Sequence, residues 1–427
     1  MVNAGDKVKL FYENEIFEGV LMPEEDKGFV FIKLTSGYNV GLKSSKVKKI
    51  ELVKKKSDVK QSVKSVVTKK NIPNISILNT GGTITSKVDY STGAVTAKFT
   101  PEEVLELFPD VRNLANIEAV NVRNIMSDNM RFDHYNLMAR AVEKEIKKGV
   151  DGIIITHGTD TMHYSSAALS FVLENVAVPV VFVGSQRSSD RPSTDALVNL
   201  VSATMFITQT NYKGVFLCMH ENNSDHTCMV MPGTKVRKMH TSRRDAFRPI
   251  NTSPVAIIDY EKKSLKKIAK ECSPEGKFSL KLFDPKLKIG YFKFHTHSFA
   301  EELKPYETFD ALLLEAFALG QAQIIKQDEF MSENIKIYNL LKSLTAKIPV
   351  AVASQCLYGR VDMNVYSEGR ELQKLGVIGN YTDMVPETAF IKLAWLMSNH
   401  KKEVKDLYSK NLRGEISERS EKEGFLR

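Results

Sequence analysis

Two short stretches of this chain put hydroxyls and glycines together where a substrate could be attacked. The first reads Ile77-Leu78-Asn79-Thr80-Gly81-Gly82-Thr83-Ile84, the second Ile154-Ile155-Thr156-His157-Gly158-Thr159-Asp160-Thr161. In each, an apolar run ends in a turn whose glycines allow tight backbone geometry, and threonine presents an oxygen at the crest. A hydroxyl is a poor nucleophile at neutral pH until a base takes its proton. Asp160 stands beside Thr159, but an ordinary carboxylate is a weak base and is better suited to orienting one. A lysine can serve where burial or neighbouring cations favour its neutral form. Lys235-Val236-Arg237-Lys238-Met239-His240-Thr241-Ser242-Arg243-Arg244 offers Lys238 among several cations. On composition alone that stretch reads as a basic surface loop. A single Thr-Gly-Gly-Thr turn likewise reads as structural, held by local side-chain-to-backbone bonds. Two such turns in one domain carry more information than either alone.

The elements needed to position these turns are legible in the pattern. Asn74 to Asn79, Gly152 to Thr156 and Val178 to Val183 are strand-sized apolar runs. They alternate with helical patterns at Pro101 to Phe108 (capped by Thr100), His134 to Lys148, Thr161 to Glu174 and Ser193 to Thr208. Strand alternating with helix predicts a parallel sheet covered on both faces, and such sheets bind ligands beyond the carboxyl ends of their strands. A second, shorter α/β run follows: Ile289 to Phe294, Ala311 to Ala318, Ile335 to Leu344, Val350 to Ser354 and Pro386 to Ser398. The first fifty residues differ. Lys7 to Tyr12, Phe17 to Met22, Phe29 to Leu34 and Asn39 to Leu42 have strand chemistry separated by turn sequences, which predicts a small all-β, barrel-like domain. The expected division is 1–53 for that domain and 54–72 for a lysine-rich linker. It continues with 73–265 for a first α/β domain, 266–286 for a connection, and 287–427 for a second α/β domain with a helical tail.

Bulk properties narrow the function classes. The chain has 427 residues, 42% hydrophobic and 26% charged, ordinary values for a soluble globular protein. No apolar run reaches the roughly 18 residues a membrane span needs, and the N-terminus has no secretory h-region, so a cytoplasmic protein is expected. The four cysteines are widely spaced without a C-x-x-C pair, which predicts reduced structural thiols and no zinc site. His295-Thr296-His297 reads as a strand-end loop, so no metal ligands are expected. The net charge is +9, and residues 1 to 70 hold fifteen lysines against nine acidic residues. That asymmetry fits a solvated surface and linker, or a platform for RNA or an acidic protein.

The two turns together resemble the signature turns of the L-asparaginase and glutaminase family, in order and in spacing. The resemblance runs from about Asn74 to Leu396 and takes in Val183-Gly184-Ser185-Gln186-Arg187, Arg237 to Phe247 and Asp383-Met384-Val385-Pro386-Glu387-Thr388-Ala389. It implies an asparaginase-like pair of α/β domains with parallel sheets, the active site lying between subunits of a homodimer. It implies amide hydrolysis with Thr83 as nucleophile and Tyr90 on a mobile flap. Thr159, Asp160 and Lys238 match the family's second hydroxyl–carboxylate–lysine group, and Gly82 and Gly158 are the turn glycines at the substrate. Ser127 resembles the serine that holds the amino-acid head group of glutamine or asparagine. Asp128 follows it where the family commonly has a neutral polar residue.

The small β-domain, expected to be an SH3-like barrel, is foreign to ordinary asparaginases. With the basic linker it resembles the ammonia-supplying subunits of archaeal-type glutamyl-tRNA(Gln) amidotransferases. That resemblance implies a partner, the E-type subunit of such an amidotransferase, which uses ATP and Mg2+ to activate Glu-tRNA(Gln) and receives the ammonia. The hydrolytic step itself is expected to need no cofactor. A free-standing cytoplasmic L-asparaginase is the alternative. A non-enzymatic scaffold has no physical need for Thr83, Thr159, Asp160 and Lys238 together.

Overall fold

The computed structural model describes residues 2–22, 28–34, 39–55, 71–82, 84, 86–88, 95–97, 111–187, 194–271, 274–422 and 425. Thr83, Tyr90, Cys272, the 101–108 stretch and most of the expected linker lie outside the described residues.

The first unit is all-β, as its alternation predicts. In β1 (Lys7–Tyr12), Val8 and Leu10 are buried while Lys9 between them is exposed. With β2 (Glu15–Leu21), β3 (Phe29–Leu34), β4 (Asn39–Lys43) and β5 (Val47–Lys54) it forms a five-stranded antiparallel sheet in the order β4-β3-β2-β1-β5. Val8, Leu10, Ile32 and Leu42 make its core. Among the described residues, β4 and β5 remain the edges, so the pairing is that of an antiparallel sheet rather than a closed barrel.

The second unit is built on an eight-stranded sheet. Its parallel strands are β6 (Asn74–Asn79), β7 (Asn116–Asn121), β8 (Gly152–Thr156), β9 (Pro179–Val183) and β10 (Gly214–His220). Then the sheet turns antiparallel through β11 (Thr227–Pro232), β12 (Ala256–Asp259) and β13 (Ser264–Lys267). The strands expected from the alternation are parallel, and the three that extend the sheet beyond them make it mixed. The 221–226 and 260–263 connections are too short for a crossover, which takes about a dozen residues or more.

Strand pleating sends alternate residues to opposite faces, and here both faces are covered. Ile153 and Ile155 of β8 pack with Met138 of α1 (Phe132–Lys147) and Leu169 of α2 (Met162–Val172). Ile154, between them, joins Leu200, Met205 and Phe206 of α3 (Ala196–Gln209). Each apolar side chain so buried contributes roughly 1.5–3 kcal/mol.

The third unit has parallel strands β14 (Ile289–Lys293), β15 (Ala311–Ala316) and β16 (Val350–Ser354), with helices α4 (Ser332–Lys347) and α5 (Pro386–Asn399). It shares a core with the second unit: Ile155 and Leu169 belong to the same apolar cluster as Leu313, Leu393 and Trp395. The rings of Phe171 in α2 and Trp395 in α5 lie 5.5 Å apart. The two sheets are thus braced against each other.

A buried ion pair fixes the C-terminal tail to α5. Lys392 and Glu415 are both without solvent exposure, with Nζ 2.5 Å from Oε1. Glu415 also accepts from the backbone amides of Leu412 and Arg413. Removing one partner of such a pair strands the other charge in the core. Lys392→Met should lower unfolding stability by roughly 3–5 kcal/mol, whereas Lys392→Met with Glu415→Leu should recover part of the loss. Urea unfolding of the single and double variants checks this.

Candidate active site

The parallel strands run β7-β6-β8-β9-β10 across the sheet, so in chain order they read second, first, third, fourth, fifth. Chain direction across the sheet reverses between β6 and β8, and open sheets of this kind bind ligands beyond the strand ends at that reversal. Both threonine turns lie there, the first following β6 and the second following β8.

The turns touch through their glycines. Gly82 has a φ of +84°, and a Cβ there would fall 2.4 Å from the backbone nitrogen of Gly158. A Cβ on Gly158 would fall 2.7 Å from Ser127 Oγ. Three loops, each following one of β6, β7 and β8, therefore meet here at approaches too close for a Cβ on either glycine. Hydrogen bonds tie them further. Thr80 Oγ1 donates to the Thr156 carbonyl at 2.8 Å, and Asn79 Oδ1 accepts from Thr156 Oγ1 at 3.1 Å and from the Gly81 amide at 3.0 Å. Thr161 Oγ1 donates to the Ser127 carbonyl at 2.6 Å. Thr80 is thus a structural hydroxyl. Thr83 lies outside the described residues, flanked in sequence by the buried Gly82 and Ile84.

Lys238 reaches this point from a separate hairpin, Val236–Lys238 paired with Phe247–Pro249. Its Nζ donates to Thr159 Oγ1 at 2.9 Å and to Asp160 Oδ1 at 2.8 Å. The lysine side chain is 10% exposed and the aspartate 65% exposed, so the trio opens toward solvent on one side. The structure brings Gly82, Gly158, Ser127, Thr159, Asp160 and Lys238 together. Asp128 is exposed beside Ser127, where its carboxylate accepts from Asn129 Nδ2 at 3.3 Å.

One residue of the second turn has a part the sequence did not suggest. His157 is wholly buried, with Nδ1 2.7 Å from the Gly158 carbonyl and Nε2 2.9 Å from Ser165 Oγ. A carbonyl can only accept, so Nδ1 carries the proton and Nε2 accepts from the serine. Burial pushes the imidazole down to about 4, which keeps it neutral. It orients the turn rather than exchanging protons. The only sequence signal was its place at the end of a fully apolar strand. His295, in the His295-Thr296-His297 stretch, pairs with Glu302 at 3.0 Å.

The described helices include none long and apolar enough to cross a membrane. Cys218 and Cys228 are buried and unbridged, and Cys356 is exposed and unbridged.

Comparison with known proteins agrees with this geometry. Residues 74–270 match the family described as "Asparaginase, N-terminal", and residues 294–407 match "Glutaminase/Asparaginase C-terminal domain". Residues 2–53 match "GatD N-terminal domain". The D subunit of glutamyl-tRNA(Gln) amidotransferase from Methanococcus maripaludis strain C5 is 41% identical over 98% of this chain and 99% of its own length. The protein of the same name from Archaeoglobus fulgidus is 40% identical, covering 96% and 95%. Among solved structures, the thermostable L-asparaginase from Thermococcus kodakarensis superposes with a TM-score of 0.70 at 28% identity, covering 81% of this chain and 99% of that one. L-asparaginase I from Vibrio cholerae gives a TM-score of 0.69 at 27% identity with the same coverage. Asparaginase-type domains joined to that N-terminal sheet, in a chain matching these relatives from end to end, make this protein a member of the family of glutamyl-tRNA(Gln) amidotransferase D subunits, which are enzyme subunits of amidohydrolase type.

Proposed function

We propose that the chain releases ammonia from the side-chain amide of glutamine or asparagine and delivers it to a partner, the E-type subunit of the amidotransferase, which amidates glutamate on Glu-tRNA(Gln) with ATP and Mg2+. The observation that carries the hydrolytic half is the Lys238–Thr159–Asp160 trio, gathered at the sheet's reversal point beside the Gly82 turn. The delivery half rests on the end-to-end likeness to proteins named as amidotransferase D subunits. We infer a cytoplasmic complex in which this chain is a homodimer.

The chemistry is a two-step acyl transfer. Thr83 Oγ1 attacks the side-chain amide carbon, and its proton passes by way of the lysine group to the leaving nitrogen, which departs as ammonia. Water then attacks the threonyl ester, its proton passes by way of the lysine group to Thr83 Oγ1 as the ester bond breaks, and the acid and the threonine hydroxyl are freed. Lys238 Nζ donates to Thr159 Oγ1 and to Asp160 Oδ1, which hold it where it can relay that proton. Asp160 orients the lysine, Ser127 holds the amino-acid head group, and backbone amides at the Gly81-Gly82 turn or near Thr159 stabilise the oxyanion, an effect of roughly 3–4 kcal/mol per donor where it has been dissected. Tyr90 closes over the substrate. A free-standing asparaginase would use the same steps, so the acceptor reaction separates the two readings.

Thr83→Ala should lower ammonia release by about 10⁴-fold or more. Lys238→Arg should lower it by at least about 10²-fold although the charge is kept, since arginine does not give up its proton in a protein. Steady-state ammonia assays with glutamine decide both. Normal activity in Lys238→Arg would mean position 238 needs only positive charge.

Gly158→Ala should raise KM for glutamine by about tenfold, since its Cβ displaces the Ser127 hydroxyl and overpacking of this kind costs ~1–3 kcal/mol. An unchanged KM would remove Ser127 from head-group binding.

Deleting residues 1–72 should leave the hydrolytic site folded but weaken amidation of mischarged tRNA in the presence of the partner. If the basic surface is the contact, the deficit should shrink as salt rises, because phosphate contacts weaken in the full-length chain too. Equal amidation by both chains at all salt concentrations would refute a coupling role.

A further inference from the structure

The hairpin that carries Lys238 is fastened to the third unit by its flanking residues, which reach the 357–359 loop and the tail, and by four contacts to one short segment. Thr388 Oγ1 donates to the Thr234 carbonyl at 2.9 Å. Lys235 Nζ lies 2.7 Å from Asp383 Oδ2, with both side chains almost wholly buried. Asn251 Nδ2 donates to the Asp383 carbonyl at 2.9 Å, just past the hairpin's other strand. Arg237 Nε lies 2.9 Å from Glu387 Oε1. The segment 383–388 is the approach to α5 and its first turn, where Pro386 starts the helix and Glu387 sits at its positive end.

Adjacent residues of a strand point to opposite faces. Lys238 therefore faces Thr159 and Asp160 while Arg237 faces Glu387. The Asp383 end is itself anchored: its Oδ1 accepts from the Ser417 amide at 2.9 Å, in the tail that Glu415 and Lys392 hold. Glu387 is different. It is 5% exposed, its Oε1 faces both Arg237 and His163 (the latter at 3.8 Å), and its Oε2 has no hydrogen-bond partner among the described residues. A buried carboxylate with half its capacity unmet costs stability, so its retention here asks for a use other than packing. Burial works against its charge, but His163 and Arg237 outweigh burial and hold the carboxyl below its ordinary range.

We propose that Glu387 is a positioning residue for Lys238: through Arg237 it sets the twist and depth of the hairpin, so that the lysine amine sits on Thr159 and Asp160. It acts from the third unit on a site formed by the second. The proposal rests on the reading of Lys238 as a group in the amide chemistry. A displacement on the order of 1 Å in such a group can cost about a hundredfold in rate.

The test uses the full-length chain, alone and with its amidotransferase partner, assayed for ammonia release from glutamine. Glu387→Gln keeps the size and an acceptor for Arg237 but removes the charge. It should lower kcat about tenfold or more, leave KM within about twofold, and shift the thermal midpoint little. Glu387→Asp, which restores the charge, should recover more kcat than glutamine does. Arg237→Gln combined with Glu387→Gln should be no worse than the poorer single variant, because both act through one contact. Lys238→Arg serves as the reference. If Lys238→Arg is fully active, the reading of the site fails whatever Glu387 does. If Lys238→Arg is inactive while Glu387→Gln turns over normally, the positioning role is overturned and the site reading stands. A fall in kcat matched by an equal loss of folded protein would also overturn it, since packing alone would then account for Glu387.

Discussion

Everything in this site depends on two backbones approaching more closely than side chains allow. Gly82 and Gly158 meet where a Cβ on Gly82 would overlap a main-chain atom, and a Cβ on Gly158 would overlap the Ser127 side chain. That contact fuses the ends of β6, β7 and β8 into one surface. It sets the Gly82 turn beside the Thr159–Asp160 pair at the reversal of the sheet. Neutral, buried His157 holds the second turn from beneath. Electrostatic stabilisation of a transition state needs groups held in place in this way.

The lysine comes from elsewhere and is kept in place by the architecture. Its hairpin buries Val236 and Phe247 in the shared core, and the third unit adds polar bracing through Asp383, Glu387 and Thr388. The tail closes the circuit: Lys392 holds Glu415, the tail presents the Ser417 amide to Asp383, and Asp383 holds Lys235. A continuous apolar core joining both sheets makes this linkage rigid. The second α/β unit of the asparaginase fold thus has a mechanical role at a site to which, among the described residues of this chain, it gives no direct ligand.

The sequence was most informative where local patterns are strong. Gly152–Thr156 was legible because a wholly apolar run ends abruptly at His157-Gly158, and the helices flanking it were legible within a few residues for the same reason. Residues 127, 159, 160 and 238 take their expected roles from the family resemblance, and the fold places Lys238 on Thr159 and Asp160 and Ser127 against Gly158. The antiparallel half of the sheet was not legible. Ser264–Lys267 is an exposed edge strand of mostly polar residues, so it shows no apolar alternation to read. Nor could the Arg237–Glu387 contact be foreseen: both residues look like ordinary surface charges, and only the docking of the two units makes them partners.

In the chemistry proposed for this site, amide hydrolysis starts with attack by Thr83. A glutamine analogue bearing an electrophilic diazoketone in place of the side-chain amide should occupy the same pocket and alkylate whichever group attacks. Peptide mapping by mass spectrometry, at the point where ammonia release is fully lost, reads the answer directly. The expected result is one label per chain, on Thr83, and none in Thr83→Ala. Complete inactivation with the label on Thr159, or on any residue other than Thr83, would be incompatible with Thr83 as the nucleophile.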